Sequence, residues 1–257
     1  MTIVTLTTDF GFSDGFVGIM KGVILGRAPD VRVVDVTHGI PPQDVLAGAL
    51  TLRHAVPYFP AGTIHVGVVD PGVGTARRPL CVETAAGFLV GPDNGLFSLA
   101  APADAIRRIV HLTDERFFLS PRSATFHGRD VFAPVAAALA TSTPPAALGS
   151  IVEDMHRLDV PEPSVDGRAM HGQVIYVDHF GNLVTNVTSG ALSKSADVSI
   201  RLRAAQLRGI APSYGTARSG ELVAVVGSWG LLEIAVRDGS ARDRLGAGVG
   251  EPVVVET

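Results

Sequence analysis

The hydrophobic pattern of this chain changes character over residues 141–170, and that change limits what the chain can fold into. Before it, short apolar runs such as Ile3–Leu6 and Val31–Val36 alternate with segments whose apolar residues recur at helical spacing. Such alternation predicts an α/β domain around a mostly parallel sheet, with helices on both faces. After the change, short apolar runs follow one another with turn residues between them, which predicts a small antiparallel β-barrel or sandwich.

A proline-rich polar stretch, which includes Val160-Pro161-Glu162-Pro163, separates the two patterns and is typical of a linker. We therefore predict an α/β domain over residues 1–150, a linker over 151–170 and an antiparallel β-barrel domain over 171–257. A chain of 257 residues is long enough for two modest domains, each with its own core.

Helical spacing is clearest after the first strand. Phe16, Ile19, Met20 and Val23 recur at i, i+3, i+4 and i+7, which predicts that they form one helix face. Two further helices are predicted over 41–58 and 131–140. Strands are predicted over 3–6, 31–36, 64–69, 88–91, 106–111, 173–177, 183–187, 198–202, 222–226, 231–236 and 252–255.

Composition excludes several classes of protein. The net charge is −4 and no block of like charges is visible, so we expect no nucleic-acid partner. The one cysteine, Cys81, is expected to be a buried small apolar side chain. Because no apolar run reaches 18 residues and the first residues do not resemble a secretion signal, we expect a soluble, cytoplasmic protein with no membrane contact.

Polar side chains follow three predicted strands of the first domain. Asp9, the pair Thr37-His38, and Asp70 each come just after an apolar run. In α/β sheets, ligands bind beyond the carboxyl ends of the strands. The sequence therefore places a candidate site at that edge of the sheet.

Two carboxylates, Asp9 and Asp14, flank a glycine-containing turn between the first strand and the first helix. One carboxylate can accept hydrogen bonds from both hydroxyls of a ribose, so this turn favours a nucleoside ligand. The glycine spacing is not that of a dinucleotide-binding fingerprint. The alternative interpretation is that Asp14 caps the helix and Asp9 stabilises a local turn.

A second candidate group combines Asp70 and Arg77 with His127, which lies where a loop enters a helix. The acid and the arginine could be a structural ion pair, but with a histidine they form a polar set able to hold and polarise a water molecule. The loop around Asp70 lacks the lysine and hydroxyl residue of a triphosphate-binding loop. The histidines have no metal-ligand spacing, so no metal is expected.

Two polar turns stand out in the second domain, Asp178–Asn186 and Ser228–Val236. An asparagine such as Asn182 can bind an adenine edge through its paired donor and acceptor groups, although both segments could equally be ordinary turns. Trp229 could stack on a ligand ring or cover the barrel.

Six motifs occur in an order that resembles the S-adenosyl-L-methionine hydroxide adenosyltransferases, hydrolytic relatives of fluorinase and chlorinase enzymes. The motifs are TTDFG-x-x-D-G, VVDPGVGT-x-RR, GPDNGL, TFHGRD, DHFGN-x-x-TN and S-W-G-x-LEIA. The resemblance implies a Rossmann-like first domain and an antiparallel barrel. It also implies a homotrimer whose substrate sites lie between neighbouring subunits.

The resemblance also implies roles for individual residues. Asp70, Arg77 and His127 would be the catalytic set. The residues implied in substrate binding are Asp9 (ribose diol), Asp14 (a second acidic position), Asp178 (methionine ammonium), Asn182 with the backbone near Val236 (adenine), and Ser228 and Glu233 (pocket lining). Trp229 stands where a halogenase relative has arginine.

The implied reaction is hydrolysis of S-adenosyl-L-methionine to adenosine and methionine, with no cofactor. Two alternatives remain open at this point. One is a halogenase of the same fold, which Gly128 disfavours because it offers no hydroxyl to a halide. The other is a non-catalytic sensor that binds S-adenosyl-L-methionine or adenosine.

Overall fold

A computed structural model describes residues 1–192 and 198–256 of the chain. The chain divides into two compact units, Met1–Asp159 and Val160–Thr257. No helix in the described residues is long and apolar enough to cross a membrane.

The first unit contains seven strands and three α-helices. The strands are β1 (Ile3–Thr8), β2 (Arg32–Thr37), β3 (Thr63–Val68), β4 (Pro79–Thr84), β5 (Gly87–Pro92), β6 (Ile106–Leu112) and β7 (Gly149–Val152). The α-helices are α1 (Phe16–Arg27), α2 (Val45–Ala55) and α3 (Ala133–Ala140), and a π-helical turn, Gly128–Phe132, leads directly into α3. Short 3₁₀ turns cover Val56–Tyr58, Ala103–Ala105, Glu115–Phe117 and Pro145–Ala147.

These strands form one mixed sheet in the order β2-β1-β3-β5-β4-β6-β7. The first four strands in that order are parallel neighbours, as the sequence predicts. The prediction of a mostly parallel sheet is too broad, however, because β4 pairs antiparallel with both β5 and β6, and β6 with β7. The short connection between β4 and β5 permits a hairpin but no helical crossover, which is why the direction reverses there.

Helix α1 buries a different face from the one predicted. Val17, Met20 and Ile24 are buried in the core, whereas Phe16 and Ile19 are 42% and 46% exposed. The predicted face is therefore wrong at its first two members. Apolar residues cover most of the circumference of this helix, so their spacing alone does not decide which stripe meets the sheet.

The core of the first unit lies between the sheet and helices α1 and α3. Cys81 on β4 is fully buried there, as predicted, and burial raises the pKa of its thiol to about 12. Helix α2 begins after Asp44, whose side chain accepts a hydrogen bond from the backbone of Ala47 at 2.9 Å. Residues 41–44, predicted as helix, thus form the loop before it.

The second unit is a nearly closed antiparallel sheet. Its strands are β8 (Ser164–Asp166), β9 (Ala169–Val177), β10 (Leu183–Thr188), β11 (Ser199–Leu202), β12 (Ala205–Arg208), β13 (Leu222–Val226), β14 (Leu231–Val236) and β15 (Pro252–Glu256). Its described residues also form the short helix α4 (Ala241–Leu245) and 3₁₀ turns over Ser189–Ala191 and Tyr214–Thr216.

The strand order is β12-β11-β15-β9-β10-β14-β13, with β8 paired to β9. Ala211 bridges toward β13, since its N–H donates to Ala224 O at 2.8 Å, and this contact nearly closes the sheet into a barrel. Alternation sets the interior: on β15, Val253 and Val255 are fully buried while the residues between and beside them are not. The barrel prediction is confirmed at this level.

Candidate active site

A cavity of about 430 Å³ lies beyond the carboxyl ends of β1 and β3 in the first unit. This is the edge of the sheet that the sequence predicts for a site. Three of the predicted residues, Asp9, Asp70 and His127, are among its lining residues. The others are Phe10, Phe16, Pro42, Gln43, Val68, Pro71, Val73, Thr125, Phe126 and Gly128.

Asp70, Arg77 and His127 form one connected group. The guanidinium Nε of Arg77 donates to Asp70 Oδ1 and Oδ2 at 3.0 and 3.1 Å, and Nη2 donates to Oδ2 as well. The same Nη2 lies 2.8 Å from His127 Nδ1. Both partners of the ion pair are almost fully buried, so the carboxylate and the guanidinium neutralise each other away from solvent.

The geometry of this group determines the tautomer of His127. A guanidinium has no acceptor, so Nδ1 must accept the proton from Arg77, and the neutral ring carries its own proton on Nε2. Burial, followed by the positive charge of Arg77, lowers the pKa of His127 below its usual 6.5. The imidazole is therefore neutral at physiological pH and presents an N–H donor at Nε2.

Local backbone features hold this group in place. The loop that separates Asp70 from Arg77 turns at Gly74, whose φ is +78°. A side chain there would place Cβ 2.5 Å from the carbonyl oxygen of Ala124, so this approach of two loops requires glycine. His127 directly precedes the π-helical turn, and the Arg77 guanidinium lies over the Phe132 ring of that turn at 5.4 Å.

Asp9 lies half-buried at the end of β1, and its Oδ2 accepts a hydrogen bond from the backbone N–H of Gln43 at 2.8 Å. The alternative interpretation was that Asp9 bonds within its own turn. The carboxylate instead accepts a hydrogen bond from a different loop. Gln43 has a φ of +67°, a conformation that residues other than glycine rarely adopt. The carboxylate keeps acceptor sites for a ligand in the cavity.

Asp14 is exposed and does not line the cavity. Helix α1 has Gly15 at its N-cap and no side-chain capping bond, so the alternative role of Asp14 as a helix cap is wrong. Its proposed binding role stays a prediction.

Three aromatic rings that were not predicted as site residues form the apolar side of the cavity. The rings of Phe10 and Phe126 are 5.9 Å apart, and Phe16 lies 5.7 Å and 5.1 Å from the two. Phe10 and Phe126 adjoin the motif residues Asp9 and His127, which is the only signal the sequence offered. These tilted and edge-to-face rings line the cavity with apolar surface.

The second unit holds the other predicted residues. Asp178 Oδ1 accepts hydrogen bonds from the backbone of Phe180 and Asn182 at 2.9 and 2.8 Å. Asp178 Oδ2 accepts one from the side-chain amide of Asn182 at 2.8 Å. Gly181, with a φ of +81°, allows this tight turn. The two side chains predicted to bind ammonium and adenine are therefore in direct contact.

Glu233 on β14 is buried, and its Oε1 accepts a hydrogen bond from the Tyr214 hydroxyl at 2.5 Å. Burial is the main reason that the pKa of Glu233 is raised, and the charge of Asp178 contributes in the same direction. Tyr214 lies in a loop without a motif and was not predicted from the sequence. Val236 is buried at the end of β14, and Ser228 is exposed in the turn between β13 and β14.

Within residues 1–192 and 198–256, no cluster of three histidine, cysteine or acidic side chains is arranged to hold a metal ion.

Two regions of the chain match the domains of a known protein family. Residues 4–149 match the N-terminal domain of the SAM hydroxide adenosyltransferases, and residues 172–254 match their C-terminal domain. The two matched regions carry the cavity with its buried acid–arginine–histidine set and the polar turns of the barrel-like unit. The chain belongs to the SAM hydroxide adenosyltransferase family.

Individual relatives agree with this assignment. The chain is 46% identical to an (R)-S-adenosyl-L-methionine hydrolase of Salinispora tropica, covering 96% of this chain and 95% of that one. It is 42% identical to a protein of the same name from Thermus thermophilus, covering 98% and 99%. Among solved structures, an uncharacterized conserved protein from Thermotoga maritima matches all of both chains with a TM-score of 0.91 and 31% identity.

The halogenating relatives are more distant. A fluorinase from an Actinoplanes species is 28% identical over 220 residues, which cover 75% of this chain and 74% of that one.

Proposed function

We propose that this protein hydrolyses S-adenosyl-L-methionine to adenosine and L-methionine. The observation that carries the proposal is the buried Asp70–Arg77–His127 group, which shares one cavity with Asp9. Its supports are the family membership and the names of the hydrolases that resemble this chain along nearly its whole length.

The substrate makes simple demands on the enzyme. Its sulfonium already carries the positive charge that makes methionine a good neutral leaving group, so no general acid and no cofactor are needed. The enzyme must hold a water in line with the ribose C5′–S bond and remove a proton as the oxygen attacks. Near-attack positioning supplies about 7–11 kcal/mol, and a positioned base contributes a further factor of about 10²–10⁴.

We assign the two water-handling tasks to different residues. Neutral His127 presents an N–H at Nε2, so it donates to the water and orients it rather than taking its proton. The proton passes to the carboxylate of Asp70. Arg77 bonds both groups, fixing their separation and favouring hydroxide character in the water through its charge.

The remaining roles are proposals from the family resemblance. Asp9 binds the ribose diol through the acceptor sites that Gln43 leaves free. In the second unit, Asp178 binds the ammonium and Asn182 binds adenine together with the backbone near Val236. Ser228 and Glu233 line the same pocket, and Asp14 is a further acidic contact.

Two properties of the whole assembly stay predictions. One is a homotrimer with substrate sites shared between neighbouring subunits, which light scattering during size-exclusion chromatography would test. The other is the cytoplasmic location.

The similar hydrolases are named for the (R) configuration, which for this L-amino acid refers to the sulfonium centre. We propose the same preference here. Separate incubation with the (R) and (S) sulfonium epimers should give faster release of adenosine from (R). Equal rates would contradict the preference without affecting the reaction.

The decisive experiment incubates the purified protein with the (R) epimer of S-adenosyl-L-methionine, and separately with the (S) epimer, in water enriched in oxygen-18, with and without chloride or fluoride. Adenosine labelled at its 5′-hydroxyl, formed equally without halide, is the expected result. A 5′-halo product would identify a halogenase, and binding without turnover would identify a sensor. Adenosine without label at its 5′-hydroxyl in a single turnover would point to an ester formed with an enzyme carboxylate and would contradict direct attack of water at C5′.

A further inference from the structure

Two loops meet around Asp9, and three hydrogen-bond contacts join them. One loop is the turn after β1 and the other follows β2. Gln43 N–H donates to Asp9 Oδ2 at 2.8 Å, and Gly11 N–H donates to the carbonyl oxygen of His38 at 2.8 Å. The third contact is between side chains: Thr8 Oγ1 lies 2.8 Å from His38 Nδ1.

His38 is fully buried at the centre of these contacts. Its Nε2 lies 3.1 Å from Asp35 Oδ1 without forming a regular hydrogen bond, and Asp35 in turn accepts from Lys21 Nζ of α1 at 2.6 Å. A carboxylate only accepts, so its charge favours the imidazole proton on Nε2. A chain of polar contacts thus runs from α1 through β2 to the end of β1.

With the imidazole proton on Nε2, His38 Nδ1 accepts from the hydroxyl of Thr8. The Thr8 oxygen then remains available to accept the backbone N–H of Phe10, which lies 3.2 Å away. Thr8 and Phe10 are the residues on either side of Asp9, so the backbone that carries the carboxylate is held on both sides. The Phe12 ring lies edge-on to the His38 ring at 5.1 Å and covers it.

We propose that His38 and Thr8 are positioning residues that hold the Asp9 carboxylate in the orientation required by the two hydroxyls of a ribose. The inference rests on the role of Asp9 in the proposed function. Neither residue lines the cavity, so each acts on the ligand only through the turn that carries Asp9.

The same strand contains a matched control. Thr5 Oγ1 lies 2.9 Å from His65 Nδ1, and both residues are buried. The His65 ring also meets a phenylalanine edge-on, Phe59, at 5.5 Å. This second threonine–histidine pair lies away from the strand end and does not line the cavity. It reproduces the local chemistry of the first pair without its link to Asp9.

The test compares Thr8→Val with Thr5→Val, since valine keeps the branched shape and removes the hydroxyl. Calorimetry measures the affinity for adenosine and for 2′,3′-dideoxyadenosine, which lacks both ribose hydroxyls. T8V should weaken adenosine binding about threefold to tenfold, the range of one ordinary hydrogen bond, and leave dideoxyadenosine unchanged. T5V should leave both affinities unchanged. Its thermal stability should fall by about as much as that of T8V, because each variant loses one buried threonine–histidine hydrogen bond.

Asp9→Ala distinguishes a failure of the proposed ribose-binding role of Asp9 from a failure of the positioning role of Thr8 and His38. If D9A still prefers adenosine over the dideoxy analogue as strongly as the unmodified protein does, the proposed function of Asp9 is wrong. If D9A loses the preference for adenosine while T8V keeps it, the positioning role is overturned. The same conclusion follows if T5V loses that preference as much as T8V does.

Should T8V not fold, variants of His38 decide in its place. Asparagine carries an amide group at the position of Nδ1 and can keep the contact with Thr8, so H38N should retain the preference for adenosine. H38L cannot make the contact and should lose the preference for adenosine. Equal preferences in H38N and H38L would contradict the positioning role.

Discussion

Two polar clusters, one in each unit, are built on opposite electrostatic principles. In the first unit the buried carboxylate of Asp70 is paired with Arg77, and the neighbouring imidazole is kept neutral. In the second unit the donors that hold Asp178 and Glu233 are neutral ones, namely backbone N–H groups, an amide and the hydroxyl of Tyr214.

The difference indicates two kinds of work. A balanced ion pair can orient a neutral molecule such as water without adding net charge to the site. Carboxylates held by neutral donors are not neutralised by a neighbouring cation and can therefore attract one from a ligand. Burial is the main cause of the raised pKa of Glu233, and the nearby charge of Asp178 raises it further. The proposed substrate brings both a sulfonium and an ammonium. The comparison therefore predicts that variants of the first cluster affect rate, and variants of the second affect affinity.

The largest expected effect is on the rate constant. Asp70→Asn should reduce kcat about 10²- to 10⁴-fold because the amide cannot accept the proton of the water. The dissociation constant of S-adenosyl-L-methionine should change little. Single-turnover kinetics and calorimetry measure the two quantities separately. A variant that loses affinity rather than rate would remove the distinction between the clusters.

The second cluster should show the reverse pattern. Asp178→Asn should weaken S-adenosyl-L-methionine about 10- to 150-fold, the range for a lost bond to a charged group. Adenosine affinity should fall much less, because adenosine has no ammonium and is affected only through the Asn182 amide that Asp178 Oδ2 accepts from. Asp238→Asn removes an exposed carboxylate in the same unit and serves as the control. Equal loss of adenosine affinity in D178N would place Asp178 at the nucleoside instead.

Acid should inactivate the first cluster through His127. Its pKa lies below 6.5, so kcat/KM should be level above pH 6.5 and fall at lower pH as the imidazole takes up a proton. The imidazolium can no longer accept the hydrogen bond from Arg77 at Nδ1. In His127→Asn the amide oxygen can keep that bond at every pH, so this fall should disappear from the profile. An unchanged fall in the variant would assign the titration to another group.

A smaller effect, on stability rather than activity, concerns His65. Burial lowers its pKa to about 4, whereas the unfolded chain has the usual value of 6.5. Between these pH values the unfolded state binds more protons than the folded one, so the free energy of unfolding rises with pH. The contribution of His65 to that free energy is lost as the pH falls toward 4. The loss from this residue approaches about 3 kcal/mol at pH 4.

Urea unfolding at pH 7 and pH 4.5 measures this dependence. His65→Gln should be less stable at pH 7 but should lose less stability on acidification than the unmodified protein. An identical acid loss in both proteins would show that other groups dominate.

The sequence predicted the division of the chain into an α/β part and a barrel, since the two hydrophobic periods differ throughout. It also predicted the parallel neighbours β1, β2 and β3, because helices connect them. It did not predict the antiparallel half of the first sheet. The hydrophobic pattern of a short apolar strand is the same whether it pairs parallel or antiparallel with its neighbour. Only the length of the connection between the strands distinguishes the two kinds of pairing.

Among candidate site residues, the sequence singled out Asp9 and Asp70 at strand ends and His127 where a loop enters a helix. The structure places all three around one cavity. The sequence did not identify Tyr214 or the backbone N–H of Gln43. Their contacts, with Glu233 and Asp9, join segments distant in the chain, and single polar residues in loops carry no periodic signal.

The sequence by itself determined which residues are able to do chemistry here, because side-chain type and spacing along the chain are local properties. The tertiary structure decided what state those residues are in. The neutral tautomer of His127 follows from a guanidinium fifty positions away in the chain, and the exposed side of α1 follows from how the helix lies on the sheet. Charge, burial and hydrogen-bond direction depend on neighbours in space, and only the folded chain brings those neighbours together.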